Sequence, residues 1–137
     1  MSWPRMRTVL RWALGGALVS AGAGHLTFLR QDFRAQVPDW FPADEDAVVV
    51  VSGVVEIMLG LAVALVRRRR RAVIGVLAAG FFVAVFPGNI AQLVERQDAF
   101  GLDTDAKRFA RLFFQPVLVA WALWSTGGDR WLRRRSD

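Results

Sequence analysis

The chain has 137 residues, 54% of them apolar types, with no Cys, no Tyr, one His and six Trp. The missing cysteines exclude disulfides, thiolate chemistry and iron–sulfur clusters, and the single His excludes bis-His haem and ordinary multi-His metal sites. Eighteen Lys+Arg against twelve Asp+Glu leave a net charge of +6, an excess that suits nucleic acid but is concentrated here at the ends of long apolar stretches, the pattern of a membrane protein.

The first apolar stretch, residues 8–29, stands behind Arg5 and Arg7 and has Arg11 near its start. It also fits a cleavable secretory signal: a basic start, apolar residues 12–20, then Ala21-Gly22-Ala23. Retention as a first span is the preferred reading, and cleavage leaves the later spans in the same orientation. Residues 30–46 hold two Arg against five acids and contain Val37-Pro38-Asp39-Trp40-Phe41-Pro42. The prolines discourage helix and suit a stiff segment on a membrane interface. The second stretch, 47–66, has one charge, Glu56, and the third, 72–94, has none. Five consecutive Arg, 67–71, separate them. Residues 95–111 balance four bases and four acids, and the fourth stretch, 109–126, is the least apolar because Arg111 lies near its start. Arg130, Arg133, Arg134 and Arg135 close the chain. At ~1.5 Å per residue each stretch crosses, or nearly crosses, a ~30 Å hydrocarbon layer.

These stretches lack the polar face that a soluble helical bundle keeps. The expectation is an all-α membrane protein, one domain of four transmembrane helices in the cell (plasma) membrane, with both termini cytoplasmic. Basic flanks alternate with acidic or balanced ones, as four crossings with both termini inside require. The Arg runs then read as helix-end anchors touching anionic membrane lipids, with no nucleic-acid role. Trp3, Trp12, Trp121, Trp124 and Trp131 are expected at the inner interface and Trp40 at the outer one. Small residues at spacing four (Gly16, Ser20 and Gly24, with Gly15 beside them; Gly80, Ala84 and Gly88) suit close helix packing. Packing within the bundle is preferred there to a homo-oligomer face.

Polar side chains inside apolar spans are costly, so their positions carry information. They are His25, Ser52, Glu56, Asn89, Gln92 and Gln115. In the expected topology His25 and Asn89 lie about 25 Å above the inner end of their helices, while Glu56 and Gln115 lie roughly 13 and 9 Å below the outer end of theirs. Each helix thus places a polar group in the outer half of the layer, which predicts one polar pocket. Ser52, Gly53, Glu56 and Gly60 share a helix face, as do Asn89 and Gln92, and Arg111 and Gln115. Pro87 and Pro116 free the carbonyls of Val83 and Leu112 beside the pocket, where a kink would re-aim Asn89 and Gln115. A carboxylate at such depth must be protonated or paired; His25 and Arg111 are the candidate partners of Glu56. The ligand-binding set is His25, Glu56, Asn89, Gln92, Arg111 and Gln115, with Trp40 and Phe41 as lid or interfacial anchor. A purely structural polar network of the same residues is the competing reading, and no metal site or catalytic residue is assigned.

Gly22-Ala-Gly-His25, Val37-Pro38-x-Trp40-Phe41-Pro42, Ser52-Gly53-x-x-Glu56-x-x-x-Gly60, Phe86-Pro87-Gly88-Asn89-Ile90 and Arg111-Leu-Phe-Phe-Gln115 occur in that order. Together they resemble the DoxX family of small four-helix membrane proteins. The family often has Ala where Gly88 stands and Pro where Phe113 stands; here the nearby proline is Pro116. Its recurrent polar positions correspond to His25, Glu56, Asn89, Arg111 and Gln115. The resemblance implies a link to membrane oxidoreductase assemblies, including quinone-coupled thiosulfate oxidation, to redox or stress responses, and, in a eukaryotic branch, to receptor assembly.

Three functions compete at this level. The first is an accessory subunit that binds a quinone or similar lipid-soluble ligand for a partner oxidoreductase. His25 would donate to a quinone carbonyl, Glu56 would set its tautomer or relay a proton, and Asn89 and Gln115 would orient the ring. The second is a non-catalytic assembly or chaperone protein whose small-residue stripes hold client helices. The third, ranked last, is a proton-coupled carrier. A stand-alone enzyme is the least expected, since the sequence offers no paired nucleophile and base and no phosphate loop.

Overall fold

The structure, a computed structural model, describes residues 2–96, 98, 99 and 101–137. Among them it is all-α, with helices α1 (Trp3–Leu26), α2 (Arg30–Arg34), α3 (Glu45–Leu65), α4 (Arg71–Val94), α5 (Asp105–Thr126) and α6 (Gly128–Ser136). Local chemistry sets most of the ends. Pro4 sits in the first turn of α1, where its missing N–H costs nothing. Asp44 and Thr104 cap α3 and α5, their side chains accepting from the amides of Ala47 and Lys107 at 3.0 and 3.2 Å. Gly127, with φ +83°, ends α5 in the left-handed conformation and turns the chain into α6. The short helices α2 and α6 are brief and polar, so they do not stand out as apolar stretches, and the sequence did not predict them. Helices α4 and α5 run through Pro87 and Pro116.

Two helices, α3 and α4, are long and apolar enough to cross a membrane. Only 28% of the most apolar window of each is buried within the molecule. Val51, Val54, Met58, Leu61 and Leu65 of α3 and Val73, Leu77, Val83, Ile90 and Val94 of α4 face outward. Helices α1 and α5 fall short of that composition. Arg11, His25 and many Gly and Ala dilute α1, and Asp105, Lys107, Arg108 and Arg111 load the start of α5.

The helices pack as two pairs, α1 with α3 and α4 with α5, joined chiefly through α1 against α5. The first pair touches backbone to backbone. A Cβ on Gly22 would stand 2.6 Å from the Gly53 carbonyl oxygen, and one on Gly60 2.7 Å from that of Gly15. Of the predicted small-residue stripes, Gly15 takes part in this crossing, whereas Gly16 and Gly80 have nothing within 4 Å. Leu14, Leu18, Val63, Ala78, Ala79, Phe82 and Ala122 form the buried core between the pairs.

Two long side chains tie the bundle at one end. Arg11, 3% exposed, donates to the carbonyls of Val63 and Ala64 in the last turn of α3, where helix carbonyls lack amide partners. Trp121 donates to the Leu10 carbonyl at 2.9 Å, so it joins α5 to α1. The start of α1, residues 68–71 and α6 gather at this end. Residues 27–44, 95, 96, 98, 99 and 101–104 lie at the other, where Glu95 accepts from the Asp39 amide at 3.2 Å.

Candidate functional site

The polar residues expected at one depth meet there. His25 stands in the last turn of α1, and Ser52 and Glu56 lie one turn apart on α3. The Gly22–Gly53 crossing sets their separation: a Cβ on Gly53 would lie 2.6 Å from His25 Cβ, so only glycine lets the imidazole this close to α3. Ser52 Oγ donates to the Val49 carbonyl at 3.0 Å and lies 3.1 Å from His25 Nδ1. With the hydroxyl proton so committed, Ser52 accepts from Nδ1–H, which turns Nε2 toward Glu56. Nε2 and Glu56 Oε2 are 3.1 Å apart. They are within ion-pair distance but not aligned as a hydrogen bond, and the buried Oε2 has no hydrogen-bond partner among the described residues.

The second polar group faces the first from α4 and α5. Gln115 donates to the Phe82 carbonyl at 2.6 Å, and its side-chain oxygen accepts from Arg111 at 3.1 Å and from Asn89 at 3.4 Å. The Arg111 guanidinium also lies over the Phe114 ring, 5.2 Å from its centroid. Arg111 therefore pairs with Gln115 and not with Glu56; of the two candidate partners, His25 is the one in contact.

Between these groups lies a cavity of about 510 Å³. His25, Ser52, Glu56, Asn89, Arg111 and Gln115 supply polar groups to its wall, and Leu14, Leu18, Phe81, Phe82, Leu118 and Trp121 continue it as an apolar shaft toward the middle of the bundle. Gln92, also expected here, stands behind the wall. It is 1% exposed, donates to the Ala99 carbonyl and accepts from Gln36 at 2.9 Å, so it braces the loop over the cavity.

That loop is the cover. Phe33 packs on His25 with ring centroids 3.4 Å apart. Gln36 reaches Asn89 at 3.3 Å, and its backbone lies so near Gly88 that a Cβ there would stand 2.7 Å from the Gln36 carbonyl oxygen. Val37 and Pro38 are buried against the opening. Trp40 and Phe41 edge the cavity but stay 71% and 41% exposed, so they form its outer rim. A two-pronged contact between Arg30 and Asp46 fastens α2 to the start of α3. The Arg30 guanidinium holds the Asp46 carboxyl below its ordinary value, and Asp46 raises Arg30 in turn.

Phe33, Gln36 and Ser52 complete the site without having been assigned to it. Ser52 was visible on the Glu56 face, one turn away. Phe33 sits in the short helix α2 and Gln36 just beyond it, in a segment that the sequence reads as non-helical.

Fold and site define, among the described residues, a small helical protein with two membrane-competent helices and a largely apolar cavity with a polar end between two helix pairs. The chain belongs to the family described as a domain of unknown function, DUF8561, whose model matches residues 14–126. That span begins at Leu14 and ends at Thr126, so it holds every residue of the cavity wall. No curated protein and no solved structure matches the chain.

Proposed function

We propose that this is a DoxX-like protein of four membrane spans with both termini cytoplasmic, whose cavity binds a quinone or similar lipid-soluble ligand for a partner oxidoreductase in the plasma membrane. The observation that carries this is Glu56 Oε2, buried in the cavity wall without a hydrogen-bond partner beside His25 Nε2. A buried carboxylate oxygen without a donor is costly. A ligand that brings a hydroxyl, or whose carbonyl takes the proton of the pair, relieves that cost. The wall offers both kinds of contact: Glu56 accepts, and the His25–Glu56 pair donates once it holds a proton. The apolar shaft of Leu14, Leu18, Phe82 and Leu118 suits the body of such a ligand. The outward apolar faces of α3 and α4 support the membrane setting, and the Arg-rich end of the bundle supports a cytoplasmic position for both termini.

Decylubiquinone titration of the purified full chain in neutral micelles tests the assignment through quenching of Trp40 and Trp121, which line the cavity. Saturable quenching is expected, weakened about tenfold or more in Glu56→Gln and His25→Ala, the cost of one lost polar contact. Equal affinity in wild type and both variants overturns it.

A further inference from the structure

The Arg-rich end of the bundle contains a second cavity, of about 650 Å³. Arg7 and Arg11 reach it from α1, Arg68, Arg69 and Arg71 from the turn and the start of α4, and Arg130 and Arg134 from α6. These side chains come from three parts of the sequence that only the fold brings together. No Asp or Glu lines the cavity. Asp129, the acid nearest in sequence, pairs at 3.2 Å with Arg133, which is not part of the wall. Helix-end anchoring does not require this arrangement, because anchoring arginines extend outward into separate lipid headgroups. Seven cations turned toward one concavity repel each other unless an anion lies among them.

Arg11 donates to the Val63 and Ala64 carbonyls, but other donors of the wall are unsatisfied. Arg7 Nη1, Arg71 Nε and Ser125 Oγ are buried and have no hydrogen-bond partner among the described residues. Ser125 is only 5% exposed and lines the same wall. Buried polar atoms of native proteins are normally paired, so three orphan donors around one space describe the outline of a missing acceptor. Guanidinium forks match phosphate oxygens in pairs, and a hydroxyl adds a third donor direction. The cavity is far larger than one phosphate group, and a single phosphate leaves most of the seven charges uncompensated.

We propose that this cavity is a binding site for a ligand carrying two phosphates, held by the Arg7, Arg71, Arg68 and Arg130 side chains and the Ser125 hydroxyl. The same chemistry is offered by a diphosphate-bearing lipid headgroup at the membrane surface and by a soluble diphosphate. The proposal is independent of the quinone assignment, since it concerns the opposite end of the molecule and shares no residue with that site.

Thermal unfolding of the full chain, followed by Trp fluorescence, tests it. In neutral micelles the probes are inorganic pyrophosphate and inorganic phosphate at matched ionic strength; in nanodiscs they are phosphatidylcholine alone and phosphatidylcholine with cardiolipin. Half-maximal stabilisation is expected at a pyrophosphate concentration about tenfold below that of phosphate. Arg68→Gln/Arg130→Gln should abolish the shift, and Arg5→Gln/Arg67→Gln, which removes as much charge outside the wall, should retain it. Stabilisation by pyrophosphate without a cardiolipin effect assigns a soluble ligand, and the reverse assigns a lipid headgroup; both support the site. Absence of both effects in the wild type overturns it. So does an equal loss in the two double variants, which would reduce the effect to diffuse charge.

Discussion

Gly22→Ala gives the sharpest test of how the α1–α3 crossing builds the site. The added methyl would stand 2.6 Å from the Gly53 carbonyl oxygen, 2.7 Å from an Ile57 side-chain carbon and 3.0 Å from the Ile57 amide nitrogen. Two of these are backbone atoms, so the strain is relieved only by moving one helix off the other. Overpacking of this kind costs about 1–3 kcal/mol, and backbone neighbours place it near the upper end. Against that, Ala in place of a mid-helix Gly gains roughly 0.5–1 kcal/mol. The expected net loss is about 2 kcal/mol. Gly16→Ala is the matched control, since nothing lies within 4 Å of its added Cβ and only the helix gain of about 0.5–1 kcal/mol remains. The two variants should therefore shift stability in opposite directions, measured by denaturant titration in micelles with Trp fluorescence. Separation of the helices also parts His25 from Glu56, so quinone affinity should fall in Gly22→Ala and hold in Gly16→Ala. Stabilisation of both variants to the same degree would refute the backbone-contact account.

Removing the aromatic cover with Phe33→Ala should speed diethyl pyrocarbonate modification of His25 several-fold, a reading made unambiguous by the single His of the chain; an unchanged rate would mean that Phe33 does not shield the ring. Gln92→Leu strips a donor from the Ala99 carbonyl and an acceptor from Gln36, and should cost about 1–3 kcal/mol of stability in denaturant titration. Asp46 has a carboxyl held below its ordinary value by Arg30, so the stability it contributes is present above that ordinary value and is lost as pH falls through the lower folded-state one. Asp46→Asn should therefore lower the melting temperature at neutral pH and converge with wild type in acid, and a gap that persists at low pH would assign the effect to packing.

The apolar spacing marks out the long helices well, because a stretch of apolar residues without a polar face has few alternatives. It overstates two of them. Gly, Ala, Arg11 and His25 read as tolerable interruptions of α1 when counted one by one, but together they leave it less apolar than α3 or α4. Depth along the helices predicted that His25, Glu56, Asn89 and Gln115 meet, and they line one cavity. Depth gives height without azimuth, however. It could not tell that Arg111 turns to Gln115, that Gln92 stands behind the wall, or that Trp121 reaches back to Leu10. The cover was the least legible part. Trp40 and Phe41 draw attention as large apolar side chains between prolines, yet the inward contacts come from Phe33 and Gln36, which are placed by the Arg30–Asp46 fastening and the gap left at Gly88. Arg11 likewise reads in the sequence as a flanking charge, although its donors serve the end of a neighbouring helix.

The two cavities and the core between them favour holding a ligand over passing one. Leu14, Leu18 and Phe82 close the inner end of the His25–Glu56 cavity, and Val63, Ala78, Ala79 and Ala122 fill the bundle below them before the arginines begin. A charged solute moving between the ends would have to part this layer without a polar group to replace its water, a cost of several kcal/mol for each unpaired polar atom. The same layer separates the His25–Glu56 cavity with its apolar shaft from the arginine-lined cavity at the other end. If the two proposed sites take an apolar ring ligand and a diphosphate, flux measurements in liposomes should find no solute-driven proton movement even when both ligands bind.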